Sequence, residues 1–281
     1  MPQQPAIVVF SHLRWNFVYQ RPQHLLSRLA ATRRVLFLEE PVFEESVPPS
    51  WDRSSPSENL LVCRPRTPIR QPGFQDEQLP VLHNLVHQLL QEEKLEDYLL
   101  WFYTPMALPL AAGLNPRAVI YDCMDELSAF RFAPPQILQR EAELLRRADL
   151  VFTGGPSLYR AKKDRHPNVH CFPSSVDLGH FGQVRAGLAE AADQAPLSHP
   201  RLGFFGVIDE RFDVPLLEAL AQARPDWQII LVGPVVKIDP AILPRLPNIH
   251  YFGPRDYAQL PSYLAGWDVC LLPFARNEST R

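Results

Sequence analysis

From Arg201 to Pro234 the chain reads RLGFFGVIDERFDVPLLEALAQARPDWQIILVGP. Leu202 to Phe205 is an apolar run that stops at Gly206. Val214, Leu216, Leu217 and Leu220 then recur at helical spacing, and Trp227 to Val232 is apolar again and stops at Gly233. Strand, glycine loop, helix, strand is the repeating unit of a parallel α/β sheet, because parallel strands need a crossover long enough to hold a helix. A strand that ends in glycine and feeds a helix also presents backbone N–H groups at the first turn, where an anion can sit.

The same alternation fills the chain before this segment. Apolar runs at Ala6 to Phe10, Val35 to Glu39, Leu60 to Cys63, Tyr98 to Tyr103, Ala118 to Tyr121, Leu150 to Thr153 and Val169 to Phe172 are continuous, as in strands buried on both faces. Helical patterns fall between them at Pro22 to Ala30, Glu77 to Glu96, Pro135 to Ala148 and Pro156 to Lys163. Val47 to Pro56 and Arg66 to Gly73 read as polar loops. After Arg201 the strands are Leu202 to Phe205, Gln228 to Val232, His250 to Phe252 and Val269 to Leu272, with helices at Val214 to Ala223 and Tyr257 to Ala265. The pattern predicts an α/β fold of two Rossmann-like domains: residues 1–185, a linker over 186–200, and residues 201–281 with an incomplete second sheet. Ligands of such sheets lie beyond the carboxyl ends of the strands, so Trp15, Asp125, Ser174 and Gly206 are expected to face one cleft.

Composition narrows the function. With 46% hydrophobic and 21% charged residues the chain can bury a core in each domain. A net charge of −3 gives no basic face for nucleic acid. No apolar stretch approaches the ~20 residues of a membrane span, and Met1 to Pro5 lacks the charged start of a signal peptide. A cytoplasmic place follows, with peripheral contact to the inner membrane surface as the membrane-associated option. Cys63, Cys123, Cys171 and Cys270 are scattered and read as free thiols. His166, His170, His180, His199 and His250 make no helical metal pair, so no metal and no cofactor are expected.

Five places carry residues suited to chemistry. The loop after the first strand holds Ser11, His12, Arg14, Trp15 and Arg21 and is longer than the usual 2–6 residues, which suits a ligand wall; an ordinary loop with its aromatics tucked inside is the other reading. Asp122, Asp125 and Glu126 follow the run Ala118 to Tyr121, where carboxylates bind sugar hydroxyls or move protons; a helix cap uses the same residues. Gly154 and Gly155 let a ligand or a turn approach closely. Ser174 and Ser175 close the last strand of the first domain, as cleft hydroxyls or turn formers. Gly206, Asp209 and Arg211 open the second domain, where a guanidinium near a helix start can hold a diphosphate or pair with Asp209 or Glu210.

The phrases FSHLRWNFVYQRPQHLLSRLA (Phe10 to Ala30), VIYDCMDELSAF (Val119 to Phe130), ADLVFTGGPSLYRAKK (Ala148 to Lys163), FPSSVDLGHF (Phe172 to Phe181) and FFGVIDERFD (Phe204 to Asp213) resemble bacterial glycosyltransferases of the two-domain GT-B type. The resemblance is to the retaining group called family 4, in the branch that includes teichuronic acid biosynthesis. It implies a nucleotide-sugar donor, a co-substrate rather than a cofactor, on the C-terminal domain around Gly206 and Arg211. It also implies a glycan or lipid-linked acceptor on the N-terminal domain, where the residues themselves offer Asp122 and Asp125 as the candidate catalytic carboxylates. The family's usual basic pair is not clear here, and Asp122 and Asp125 stand where the family often has a histidine. Its hallmark donor carboxylate follows the strand matched by Val269 to Pro273; Glu278 is the last acid and nothing equates the two, so the chain looks truncated and impaired. The resulting expectation is transfer of a sugar to a polysaccharide or lipid-linked precursor. A non-catalytic sugar- or partner-binding remnant is the alternative. A dinucleotide oxidoreductase is disfavoured by the missing G-x-G-x-x-G.

Overall fold

A computed structural model describes residues 4–130 and 132–276; Glu278 lies outside them. The chain divides into two compact units, Met1–Ser174 and Ser175–Arg281. The first unit runs β1 (Ala6–Ser11), α1 (Arg21–Leu29), β2 (Val35–Glu39), β3 (Val42–Phe43), β4 (Ser50–Ser57), β5 (Leu60–Thr67), α2 (Leu79–Glu92), β6 (Tyr98–Phe102), β7 (Ala118–Cys123), α3 (Ile137–Arg147), β8 (Leu150–Thr153), α4 (Pro156–Lys162) and β9 (Val169–Cys171). The second runs α5 (Leu178–Phe181), β10 (Arg201–Phe205), α6 (Val214–Ala223), β11 (Gln228–Val232), β12 (Ile249–Gly253), α7 (Leu260–Ala265) and β13 (Val269–Cys270).

The first sheet has the order β3-β5-β2-β1-β6-β7-β8-β9, parallel throughout, with β4 added antiparallel to β5. Successive residues of β1 point to opposite faces: Val8 and Phe10 join the core under α2 and α3, while Ile7 and Val9 join the core under α1. That two-sided burial is why these strands read as unbroken apolar runs. The second sheet has the order β12-β11-β10-β13, also parallel. Its β10 alternates likewise, with Phe204 in one core and Phe205 packed against the other.

Two stretches depart from the expectation. Residues 47–56 are not simply a loop, because β4 forms within Ser50–Ser57. Its outward residues are polar, Pro56 sits at a register shift, and Asp52 and Arg53 pair with Arg64 and Glu92. Charge, proline and irregularity are how an edge strand avoids further pairing, and they erase the apolar signature of a strand. Residues 186–200 are not a free linker. Gln194 is fully buried, donates to the Tyr263 carbonyl at 2.8 Å and accepts from the Trp267 indole at 3.1 Å. Ala191 and Leu197 pack against Ile230, Val232 and Tyr263, and the Arg201 guanidinium binds Glu190 and the Leu197 carbonyl. A polar segment whose groups find partners in this way belongs to the second unit's core, which its composition does not reveal.

Candidate functional site

In each sheet the chain reverses its direction of growth at the first strand. β2 lies on one side of β1 and β6 on the other; β11 lies on one side of β10 and β13 on the other. The loops diverging from such a switch point leave a crevice at the carboxyl ends of the strands.

In the first unit the loop 12–20 is pinned from several sides. The Glu39 carboxylate accepts the Trp15 backbone N–H at 2.7 Å and the Arg14 guanidinium at 3.2 Å. Arg14 also donates to the Glu40 and Pro41 carbonyls. Gln23, in the first turn of α1, donates to the Trp15 and Val18 carbonyls at 2.8 and 3.0 Å. Trp15 itself is buried edge-on against Phe37, and the Ser11 hydroxyl is buried and turned back onto Leu13. Neither lines a ligand wall; both hold the loop. His12 and Arg14 are partly exposed in it. Burial pushes the Glu40 carboxyl up to about 7, against the opposing charge of Arg14.

Arg21 begins α1 and reaches across to β7. Its Nε lies 3.0 and 3.1 Å from the two Asp122 oxygens, and its Nη2 lies 2.9 Å from Oδ1. Its Nη1 donates to the Phe172 carbonyl at 2.7 Å, just past β9. Asp122 has no exposed surface. Burial raises its carboxyl pKa, and the Arg21 bonds work against that rise. A carboxylate enclosed and held in this way braces the strand ends, so the placement corrects the expected catalytic role of Asp122. The Tyr103 hydroxyl and Trp101 face the same carboxylate; burial first, and then the Asp122 charge, raise the Tyr103 pKa well above its usual value.

Asp125 is partly exposed. Its neighbour Glu126 is bound by Lys162 Nζ at 2.9 Å, and the same ammonium is 2.7 Å from Glu141, which also accepts from Tyr121 at 3.0 Å and Arg165 at 3.1 Å. Burial would raise the Glu126 pKa, but the bonds from Lys162 and Ser128 outweigh it and leave it lowered. Asp122 and Glu126 are therefore both engaged in ion pairs within the fold, and Asp125 lies partly exposed beside them. Gly154 is needed for packing: an added Cβ would lie 2.7 Å from the Met124 carbonyl oxygen, whereas Gly155 has open space. Ser174 and Ser175 are exposed, with the Ser174 N–H donating to the Gly154 carbonyl at 3.3 Å.

In the second unit the crevice is built from backbone. Gly206 and Gly233 have φ of +151° and +147°, and a Cβ on Gly233 would sit 1.8 Å from the Gly206 carbonyl oxygen. Only glycine allows that approach. The loop then runs along the 234–236 segment, with Ile208 and Val236 exchanging backbone bonds with Pro234 and Ile208. Asp209 is buried and grips Arg211: Nε lies 2.9 and 3.1 Å from its oxygens and Nη2 at 2.8 Å. The Arg211 side chain is partly exposed. The Asp213 carboxylate caps α6 by accepting the Leu216 N–H at 3.0 Å. The helix start thus already carries a negative group, which weakens the case for an anion held there by the helix dipole.

Sequence reasoning missed Lys162, Glu141 and Tyr103. All lie inside ordinary helix or strand patterns, and nothing local distinguishes a buried ion pair from a surface one. Gly233 was visible as a strand terminator, but its contact with Gly206 needs two strands in register.

Two parallel sheets of Rossmann type, each turning at its first strand, define the GT-B fold of glycosyltransferases. The sucrose-phosphate synthase of Thermosynechococcus elongatus superposes with a TM-score of 0.70 at 18% identity over 97% of this chain and 77% of that one. An E. coli structure described as trehalose-6-phosphate bound with UDP-2-fluoro glucose superposes with a TM-score of 0.63 at 14% identity over 94% of this chain and 77% of that one. No protein-family model matches the chain. In sequence it is homologous to the putative teichuronic acid biosynthesis glycosyltransferase TuaH of Bacillus subtilis (strain 168), 26% identical over 198 residues, 63% of this chain and 49% of that protein. The chain spans about half the length of this curated relative.

Proposed function

We propose that the chain is the core of a glycosyltransferase that moves a sugar from a nucleotide diphospho-sugar to a polysaccharide or lipid-linked glycan precursor. The observation that carries this reading is the agreement of a glycosyltransferase homologue in sequence with a GT-B fold whose neighbour holds UDP-2-fluoro glucose. In the proposed reaction the acceptor hydroxyl oxygen bonds to the anomeric carbon and gives up its proton to the departing diphosphate oxygen, as the bond from that carbon to the diphosphate oxygen breaks. A nucleoside diphosphate leaves. Gly206 and Gly233 open the backbone for the donor, Arg211 meets its diphosphate, and Asp209 fixes the Arg211 fork. On the acceptor side, Asp125 with Ser174, Ser175, His12 and Arg14 offers exposed polar groups to sugar hydroxyls. A cytoplasmic site with peripheral membrane contact is consistent with this role, and among the described residues no helix is long and apolar enough to cross a membrane.

A sugar-binding piece without turnover is the second reading, favoured by the enclosure of Asp122, one of the two expected catalytic carboxylates, against Arg21. Both are tested by one pair of experiments on the purified chain. Calorimetry with UDP, GDP and ADP reads donor binding. A panel of nucleotide-sugars, scored for released nucleoside diphosphate with and without glycan acceptors, reads turnover. Binding with release supports the transferase. Binding without release supports the binding piece. Neither, at millimolar nucleotide, rejects both.

A further inference from the structure

Away from both switch points, two imidazoles converge on one backbone carbonyl. His83 and His87 stand four residues apart on α2, so their side chains share one face of the helix. The expectation of no helical histidine pair came from the later histidines and is corrected by these two. His83 Nε2 lies 2.9 Å from the Ala112 carbonyl oxygen, His87 Nε2 lies 3.1 Å from the same oxygen, and the two Nε2 atoms are 3.1 Å apart. Gly113, at φ +74°, makes the turn that brings this carbonyl to the helix, and a Cβ there would be 3.5 Å from the His87 ring.

We propose that His83 Nε2, His87 Nε2 and the Ala112 carbonyl oxygen form a site for one divalent first-row transition metal ion such as Zn²⁺ or Ni²⁺. The geometry points there for a specific reason. Ligands about 2.0–2.2 Å from a metal and at right angles to one another are about 3.0 Å apart, and tetrahedral ligands about 3.4 Å. The observed triangle of 2.9, 3.1 and 3.1 Å is one face of an octahedron. Two imidazole nitrogens and one carbonyl oxygen are a borderline donor set, which suits zinc, nickel and copper over magnesium. The remaining positions fall to water: Ala112 is exposed, and no group of three His, Cys, Asp or Glu side chains gathers among the described residues. The ion would tie α2 to the turn that follows β6. It has no part in sugar transfer.

The test is calorimetry of the full chain with ZnCl₂ and NiCl₂, beside MgCl₂. One ion per chain should bind, and Mg²⁺ should not. His83→Ala and His87→Ala should each weaken Zn²⁺ binding at least tenfold, while His170→Ala should leave it unchanged. Zn²⁺ at a hundredfold excess over its Kd should raise the unfolding midpoint by about 5–10 °C, and His87→Ala should remove that rise. Circular dichroism of the variants in chelator shows that they fold. Equal Zn²⁺ affinity in folded wild type and His83→Ala, or no binding at millimolar metal, would overturn the site. Loss of binding on His170→Ala instead would assign the metal to other surface histidines and overturn it equally.

Discussion

The two sheets make the same turn by different means. At the β1/β6 switch the first unit spends a buried ion pair, Arg21 to Asp122, and a loop tied by Glu39 and Gln23. At the β10/β13 switch the second unit relies on bare backbone, Gly206 passing Gly233 at a distance no side chain permits. Charge braces the first site and leaves little freedom for the groups that do it. Glycine shapes the second and leaves Arg211 at the loop surface. The lesson is that titratable residues near a strand end are not equivalent: Asp122 is wholly enclosed by its partner, whereas Arg211 keeps part of its side chain at the surface.

The strongest way to break this contrast is Arg21→Ala. Removing one partner of an enclosed pair leaves Asp122 buried without its counter-charge, which costs about 3–5 kcal/mol. Denaturant unfolding of the first unit at neutral pH should show that loss. Replacing both residues, Arg21→Met with Asp122→Leu, should recover most of it. A loss below about 1 kcal/mol would place the pair in water and dissolve the distinction.

Gly233→Ala probes the other side. The new Cβ meets the Gly206 carbonyl and the left-handed φ disfavours any side chain, so about 2–3 kcal/mol should be lost from the second unit. Gly155→Ala, where nothing lies within 4 Å, should stay within about 0.5 kcal/mol in the first. Equal effects from the two substitutions would mean that the glycine loops relax freely.

Much of the fold was legible because buried parallel strands announce themselves. Every apolar run named in the first unit became a strand, from Ala6 to Cys171, and helix α6 matches its sequence bounds at Val214 and Ala223. β4 was not legible because edge protection replaces apolar residues with Ser, Asp, Arg and Pro. Residues 186–200 were not, because the burial of Gln194 depends on Tyr263 and Trp267, which lie about seventy residues on. Within the loop after β7 the structure divides the acids in a way the sequence did not: Asp122 is enclosed and Asp125 is partly exposed. Which of Asp122 and Asp125 is enclosed is decided by Arg21, about a hundred residues away. The Asp209–Arg211 pair was one of two readings the sequence left open, and it is formed.

Whether that pair presents Arg211 to a ligand or merely satisfies it is the next test, and it bears on the proposed donor site. If Arg211 meets a diphosphate, Arg211→Ala loses a charge-assisted contact of about 1.5–3 kcal/mol, a roughly tenfold to hundredfold weaker UDP or GDP affinity by calorimetry. Asp209→Asn should weaken binding less, because the guanidinium stays and only its aim is loosened. Unchanged affinity in both variants would make the pair structural, like Arg21 and Asp122.

The smallest effect concerns pH, and it should differ in sign between the units. In the first, burial lifts Glu40 to about 7 from an ordinary 4.5. The native state therefore keeps a proton that the unfolded chain gives up, so the stability tied to Glu40 is complete below pH ~4.5 and is lost as pH rises through about 7. Partial exposure reduces the size of the effect to about 1–2 kcal/mol between pH 5 and 8. In the second unit burial lowers His250 below its ordinary 6.5, so its contribution runs the other way and is lost as pH falls through that value. Hydrogen exchange followed segment by segment from pH 5 to 8, corrected for intrinsic rates, should show β1 and β2 loosening while β11 and β12 hold or tighten. Glu40→Gln should flatten the first trend and leave the second untouched. If the wild-type strands of both units respond alike, the charge-braced and glycine-built sites do not differ in the way their side chains imply.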